Sequence, residues 1–238
     1  MNDINTLKSN ITDKTTLLLR GALGAIPYIG SLLSEITNII PNQRIDRIVA
    51  YIQKLSEKLD AIEIDIVNIC ENADSPYLIL IEDSFIQASR VITSDRREYI
   101  ASLIVNGLTD DETNIERHRY LLRLLSELND EEIIWLRFYL KPYFGGDEEF
   151  RKRHENVLTL ARHYINAPVE QQNLASLQDS YKVHLERLGL LKKRIKVDSK
   201  TRMPIFDRMT GEPEGTIYIT HLGKMLLKEI GFIDKDDE

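Results

Sequence analysis

Lys192, Lys193, Arg194 and Lys196 lie within five residues of one another, with Lys200 and Arg202 just beyond and Lys182 and Arg187 just before. Cations at this density suit phosphate oxygens, whose condensed counterions they displace. Between Leu174 and Ile233, eleven Lys or Arg stand against seven Asp or Glu, a local excess of four. Reading a base sequence also needs side chains that reach base edges from a helix. In SLQDSYKVHLERL, Gln178, Lys182, His184 and Arg187 are of that kind, whereas Asp179 and Glu186 oppose a phosphate backbone. The same cluster also suits a solvated basic ribbon on a protein-interaction domain. Nucleic acid and a protein partner both remain open at this point.

Other chemistry is harder to find. Glu131 and Glu132 could form a catalytic or metal-binding pair, but Asn129 gives them a simpler task. Asn129 with Glu132 three residues on is a capping box, and both acids complement the positive end of the helix that follows. His118, His154, His163, His184 and His221 show no metal-ligand spacing, and Cys70 is isolated from them. GALGAIPYIG has glycines but lacks the Lys-Ser/Thr ending of a phosphate loop, and no serine sits in a nucleophile elbow. The expectation is a protein that is not an enzyme, with no catalytic residue, metal or cofactor and no small-molecule substrate.

The elements that carry these residues read as mainly helical. From 43 to 70, Ile45, Ile48, Ile52, Leu55, Leu59, Ile62, Ile66 and Ile69 recur at spacings of three and four, the stripe of a long amphipathic helix. Such a stripe fits a dimeric coiled coil or an intramolecular bundle; Val49 and Tyr51 widen it and favour the bundle. YLILIEDSFIQASRVI reads as a helix with some strand character at Leu78–Ile81, and SDRREYIASLIVNGL as a helix with Gly107 placed to end it in left-handed geometry. RHRYLLRLLSELNDEEIIWLRFYL reads as two helices, with Trp135 in the core. KPYFGGDEEF marks a boundary, so residues 1–145 form a helical bundle and 146–238 a second domain. There, EEFRKRHENVLTLARHYI is a helix ended by Ala167-Pro168, and LASLQDSYKVHLERLGLL supplies one or two helical segments stopping at Gly189. KKRIKVD and GTIYIT are strands, and HLGKMLLKEIGF is a last helix. Helices, two-stranded wing, helix is the order of a small winged-helix domain of α+β type.

LLLRGALGAIPYIGSLLSEITNII is the most apolar part of the chain. Pro27 breaks it into two arms of a hairpin (15–41), each too short to span a bilayer, with Leu23, Ile26, Tyr28, Ile29, Leu32 and Leu33 as its apolar face. The face fits a place in the core, or conditional insertion into a membrane. A single cysteine and a polar start point to the cytoplasm, with membrane association on activation, and a net charge of -7 from 31 basic and 38 acidic residues gives no whole-chain reason to expect nucleic acid.

Taken together, IPYIGSLLSEITNIIP, the long helix after NQRIDRI, the helices that follow and the terminal winged helix resemble bacterial abortive-infection proteins of the alpha type. That resemblance implies phage defence by an effector that damages or halts its own cell, and carries no catalytic residues onto this chain. The opening stretch departs from it in being less continuously apolar than a committed span. The leading expectation is a non-enzymatic bacterial effector or interaction protein, self-associating or bound to a protein partner. The alternative is a winged-helix DNA-binding transcriptional regulator with a helical sensing or dimerisation domain.

Overall fold

A computed structural model of the chain describes residues 44–62, 75–143, 146–161, 167–207, 211 and 213–233. The apolar hairpin, with Leu23, Ile26, Pro27, Tyr28, Ile29, Leu32 and Leu33, lies outside them, as do Ile66, Ile69, Cys70 and His163. The described residues are mainly helical, with nine α-helices and one small antiparallel sheet near the C-terminal end. They divide into two compact units, with the limit between Glu127 and Leu128 and with Glu229–Gly231 belonging to the first unit. The sequence boundary near residue 145 and the unit limit at Glu127 thus differ by one helix.

The first unit is a helical bundle. In α1 (Ile45–Asp60) the periodic stripe is buried at Ile48, Ile52, Leu55 and Leu59, and Tyr51 widens it. Each such side chain contributes roughly 1.5–3 kcal/mol by leaving water. The stripe packs on α2 (Pro76–Arg90) and α3 (Ser94–Leu108), within its own chain. Pro76 at the first helical position commits Leu78–Ile81 to helix, since its missing N–H costs nothing there. Tyr51 meets Phe85 edge-on at 5.9 Å, and its hydroxyl donates to Ser84 Oγ at 2.9 Å. Burial raises the Tyr51 phenol far above its ordinary pKa, so the hydroxyl stays a donor. Outside this core, Lys54 and Lys58 clasp Glu98 at 2.9 and 2.6 Å. Burial would raise the Glu98 carboxyl, but hydrogen bonds from Lys58 and Lys54 bring it below its ordinary value.

Gly107 corrects one sequence expectation. It lies inside α3, and a Cβ there would come 2.7 Å from Leu80 Cδ2 and 3.2 Å from His118 Cγ. It permits close packing rather than a left-handed turn. After a short 3₁₀ turn (Glu112–Asn114), α4 (Ile115–Glu127) presents Ile115, Leu121, Leu122, Leu124 and Leu125 to the core, and Arg96, 6 % exposed, donates to Leu125 O at 3.1 Å.

The second unit starts with α5 (Asp130–Phe138), whose capping box is complete: Asn129 Oδ1 accepts from Glu132 N, and Glu132 Oε2 from Asn129 N, both at 2.8 Å. Trp135 is in the core, as its surroundings in the sequence imply. Arg137 pairs with Asp147 and lies over the rings of Phe150 and Phe232, at 5.2 and 5.9 Å from their centroids. The single helix expected from Glu148 is two short ones, α6 (Glu148–Arg153) and α7 (Glu155–Leu158), broken at His154. The segments expected in LASLQDSYKVHLERL are one helix, α8 (Val169–Arg187). It ends in a Schellman motif, with Leu190 N bonded to Leu185 O, Gly189 N to Glu186 O, and Gly189 at φ +74. Strands β1 (Leu191–Ile195) and β2 (Gly215–Ile219) pair antiparallel, Lys193 opposite Ile217, and α9 (His221–Glu229) follows.

Candidate interaction ribbon and groove

Two places among the described residues bring chemistry-bearing side chains together. The first is in the helical bundle, where His118 Nε2 stands 3.0 Å from Asp110 Oδ2 and His118 Nδ1 stands 3.9 Å from Glu229 Oε2. This imidazole between two acids is buried, with His118 1 % exposed. Asp110 also accepts from Asn114 Nδ2 and Asp111 N, both at 2.9 Å, and pairs with Arg117. The His118 bond first, then Asn114, Asp111 and the Arg117 charge, hold the Asp110 carboxyl well below the usual carboxylate range, against a burial effect of opposite sign.

A carboxyl depressed by folding stabilises the fold in its ionised form. That contribution is complete above the unfolded value of about 4, and is lost as pH falls from there toward the folded value. Asp110→Asn is therefore expected to lower the stability of the first unit at neutral pH by roughly 2 kcal/mol. The gap to wild type should close as the pH drops below about 4. Urea unfolding at both pH values reads it, and an equal gap in acid would refute this account.

The second place is the hairpin and the helix beside it. Leu191, Lys193 and Ile195 point to one face of the sheet with Ile219, Ile217 and Gly215, and Lys192, Arg194 and Lys196 to the other, with Tyr218, Thr216 and Glu214. Beyond the strands the ribbon continues through bridges at Val197 to Pro204 and Phe206 to Pro213. Between α8 and the ribbon lies a groove of about 850 Å³.

This geometry redistributes the residues singled out by sequence. Lys182, Lys193, Arg194 and Lys196 line the groove; Arg187, Lys192 and Arg202 do not. Arg187 is the exposed last residue of α8, Lys192 is exposed on β1, and Arg202 sits in the ribbon's turn at φ 60. The four groove cations face four acids, Asp179, Glu186, Asp207 and Glu214. Lys182 pairs with Asp179 and Lys196 with Glu214, both at 3.1 Å, while Glu186 Oε1 accepts from Lys193 N at 3.1 Å. Formal charge in the groove therefore cancels.

Two of the four base-reading candidates on α8 are taken up inside the fold. Gln178 is 1 % exposed, accepts from Ala161 N at 3.0 Å and donates to Thr159 O at 2.8 Å. His184 Nδ1 donates to Glu132 Oε1 at 2.6 Å, since a carboxylate can only accept. Lys182 adds its ammonium to the Trp135 ring, 5.3 Å from the centroid. Nearby, burial and then the Asp179 charge push the Tyr139 phenol up to about 12. Sequence reading also passed over the ribbon's exposed apolar side chains, Ile195, Val197, Met203 and Phe206, with Val183 across the groove. For Ile195 and Val197, on either side of Lys196, the signal was present as strand alternation but was not read as an exposed apolar surface.

Among the described residues no group of His, Cys, Asp or Glu is placed to hold a metal ion, and no helix is long and apolar enough to cross a membrane. No protein-family model, curated protein or solved structure matches the chain.

Proposed function

We propose that this chain is a non-enzymatic bacterial effector of the interaction type, whose C-terminal part is a winged helix that engages protein rather than reading DNA. One observation carries the reading. Gln178 and His184, which a recognition helix would aim at bases, are bonded inside the fold. The balanced charge of the groove and the exposed Val183, Ile195, Val197 and Phe206 agree with it, because protein interfaces combine apolar contact with paired charges, whereas phosphate rewards only the cations. Phage defence by abortive infection is the setting the sequence resemblance suggests, with the apolar hairpin 15–41 as a conditional membrane-active part.

The exposed face of Lys192, Arg194 and Lys196 supports a second reading, contact with nucleic acid. The two separate in a binding assay on duplex DNA. The protein reading expects weak binding, indifferent to sequence, that disappears between about 50 and 200 mM salt. Sequence-specific binding that survives the higher salt, and is abolished in Lys192→Gln/Arg194→Gln/Lys196→Gln, would establish the regulator instead.

A further inference from the structure

Among the described residues, the outer edge of β2 has no backbone partner. Lys196 N donates to Glu214 O and Thr220 N to Leu190 O, which fixes the bonding phase of the ladder. Thr216 and Tyr218 therefore bond toward β1, and the N–H and C=O groups of Gly215, Ile217 and Ile219 point away from it. On β1 the corresponding amide, Lys193 N, is occupied by Glu186 Oε1. No described residue bonds the outward groups of β2. Monomeric proteins blunt such edges with charge, proline or a bulge. β1 (LKKRI) carries three cations, whereas β2 (GTIYI) contains neither charge nor proline.

We propose that β2 pairs antiparallel with β2 of a second copy of this chain, about a two-fold axis at Ile217, giving a four-stranded sheet. The inference rests on reading the ribbon as a protein-contact surface, and names its partner. In this register Ile217 faces the partner's Ile217, and Gly215 faces Ile219 of the partner subunit. On the other face Thr216 meets the partner's Tyr218; Tyr218 is 42 % exposed in the single chain. All the outward groups are then satisfied, in about six backbone hydrogen bonds.

Charge selects the edge and the occupant. Pairing β1 with β1 would set lysines against lysines at about 5 Å. Pairing β2 with β2 leaves the cations on the outer strands, three strand spacings or about 14 Å apart. That exceeds the screening length of about 8 Å at physiological salt. An acidic foreign strand would gain more from β1 than from neutral β2.

Sedimentation of the full chain over a concentration series tests it. A monomer–dimer equilibrium with a Kd on the order of 10–100 µM is expected, the weak end for so small an interface. Ile217→Lys and Ile217→Glu should each weaken it by about tenfold, and mixing the two should restore it as a heterodimer. If both variants fail to fold, hydrogen exchange on wild type decides: protection of the Ile217 and Ile219 amides should rise with protein concentration. A wild type monomeric throughout, variants that dimerise as well as wild type, protection independent of concentration, or capture of a foreign extended peptide by a monomeric wild type would each overturn self-pairing. A monomer that still binds a protein through the groove would leave the functional reading standing and remove only this one.

Discussion

In Gly223→Ala, amide exchange in β2 and α9 is expected to accelerate by about a hundredfold, a loss of roughly 3 kcal/mol in the second unit. A Cβ at this position would stand 2.4 Å from Leu190 O, 2.8 Å from Ile219 Cγ1 and 3.3 Å from Leu136 Cδ1. The nearest of these is a backbone oxygen, so no side-chain rotation relieves the clash. That oxygen also accepts from Thr220 N at 3.0 Å, and Thr220 Oγ1 in turn accepts from Gly223 N at 3.1 Å. Moving it loosens the end of the ladder and the start of α9 together. Gly211→Ala is the control. It has open space but a φ of +72, so it should cost only about 1 kcal/mol, through backbone strain alone. Equal effects at the two glycines would show that close approach is not what Gly223 provides.

Glu132→Ala is expected to cost about 3 kcal/mol, and Glu132→Gln about half of that. The carboxylate is 4 % exposed and serves two masters, the Asn129 amide with one oxygen and His184 Nδ1 with the other. Alanine removes both bonds and strands the amide at the helix start. Glutamine is accepted in a capping box, so it should keep the first bond and weaken the second. Urea midpoints of the three proteins read the ordering. Identical losses for alanine and glutamine would mean the cap contributes nothing. Because His184 belongs to α8, the alanine variant should also loosen the wall of the groove, seen as faster exchange at α8 amides.

Features carried by short-range spacing were legible in the sequence. The stripe Ile48–Ile52–Leu55–Leu59, the Asn129–Glu132 box, the stop at Gly189 and the alternation in the two strands each depend on residues a few positions apart. Features set by distant partners were not. Gly107 answers to Leu80 and His118, and no local pattern says so. Gln178 and His184 look like solvent-facing polar residues until Thr159, Ala161 and Glu132 are brought against them. The cations of the site could be read directly, but their neutralisation could not. Glu214 lies 18 residues from Lys196 and reaches it only through the hairpin register. The unit limit falls before α5, which packs on α8 about forty residues further along the chain.

Trp135 is the only tryptophan in the chain, and it lies in the second unit. Its intrinsic emission is therefore an optical signal for that unit alone, blue-shifted while the indole is 1 % exposed and red-shifted when water reaches it. The Lys182 ammonium 5.3 Å from the ring imposes a local field on the excited state, and the same lysine lines the groove. An occupant that draws Lys182 aside would change the colour of Trp135 without touching it, so the chain carries its own fluorophore for finding its partner.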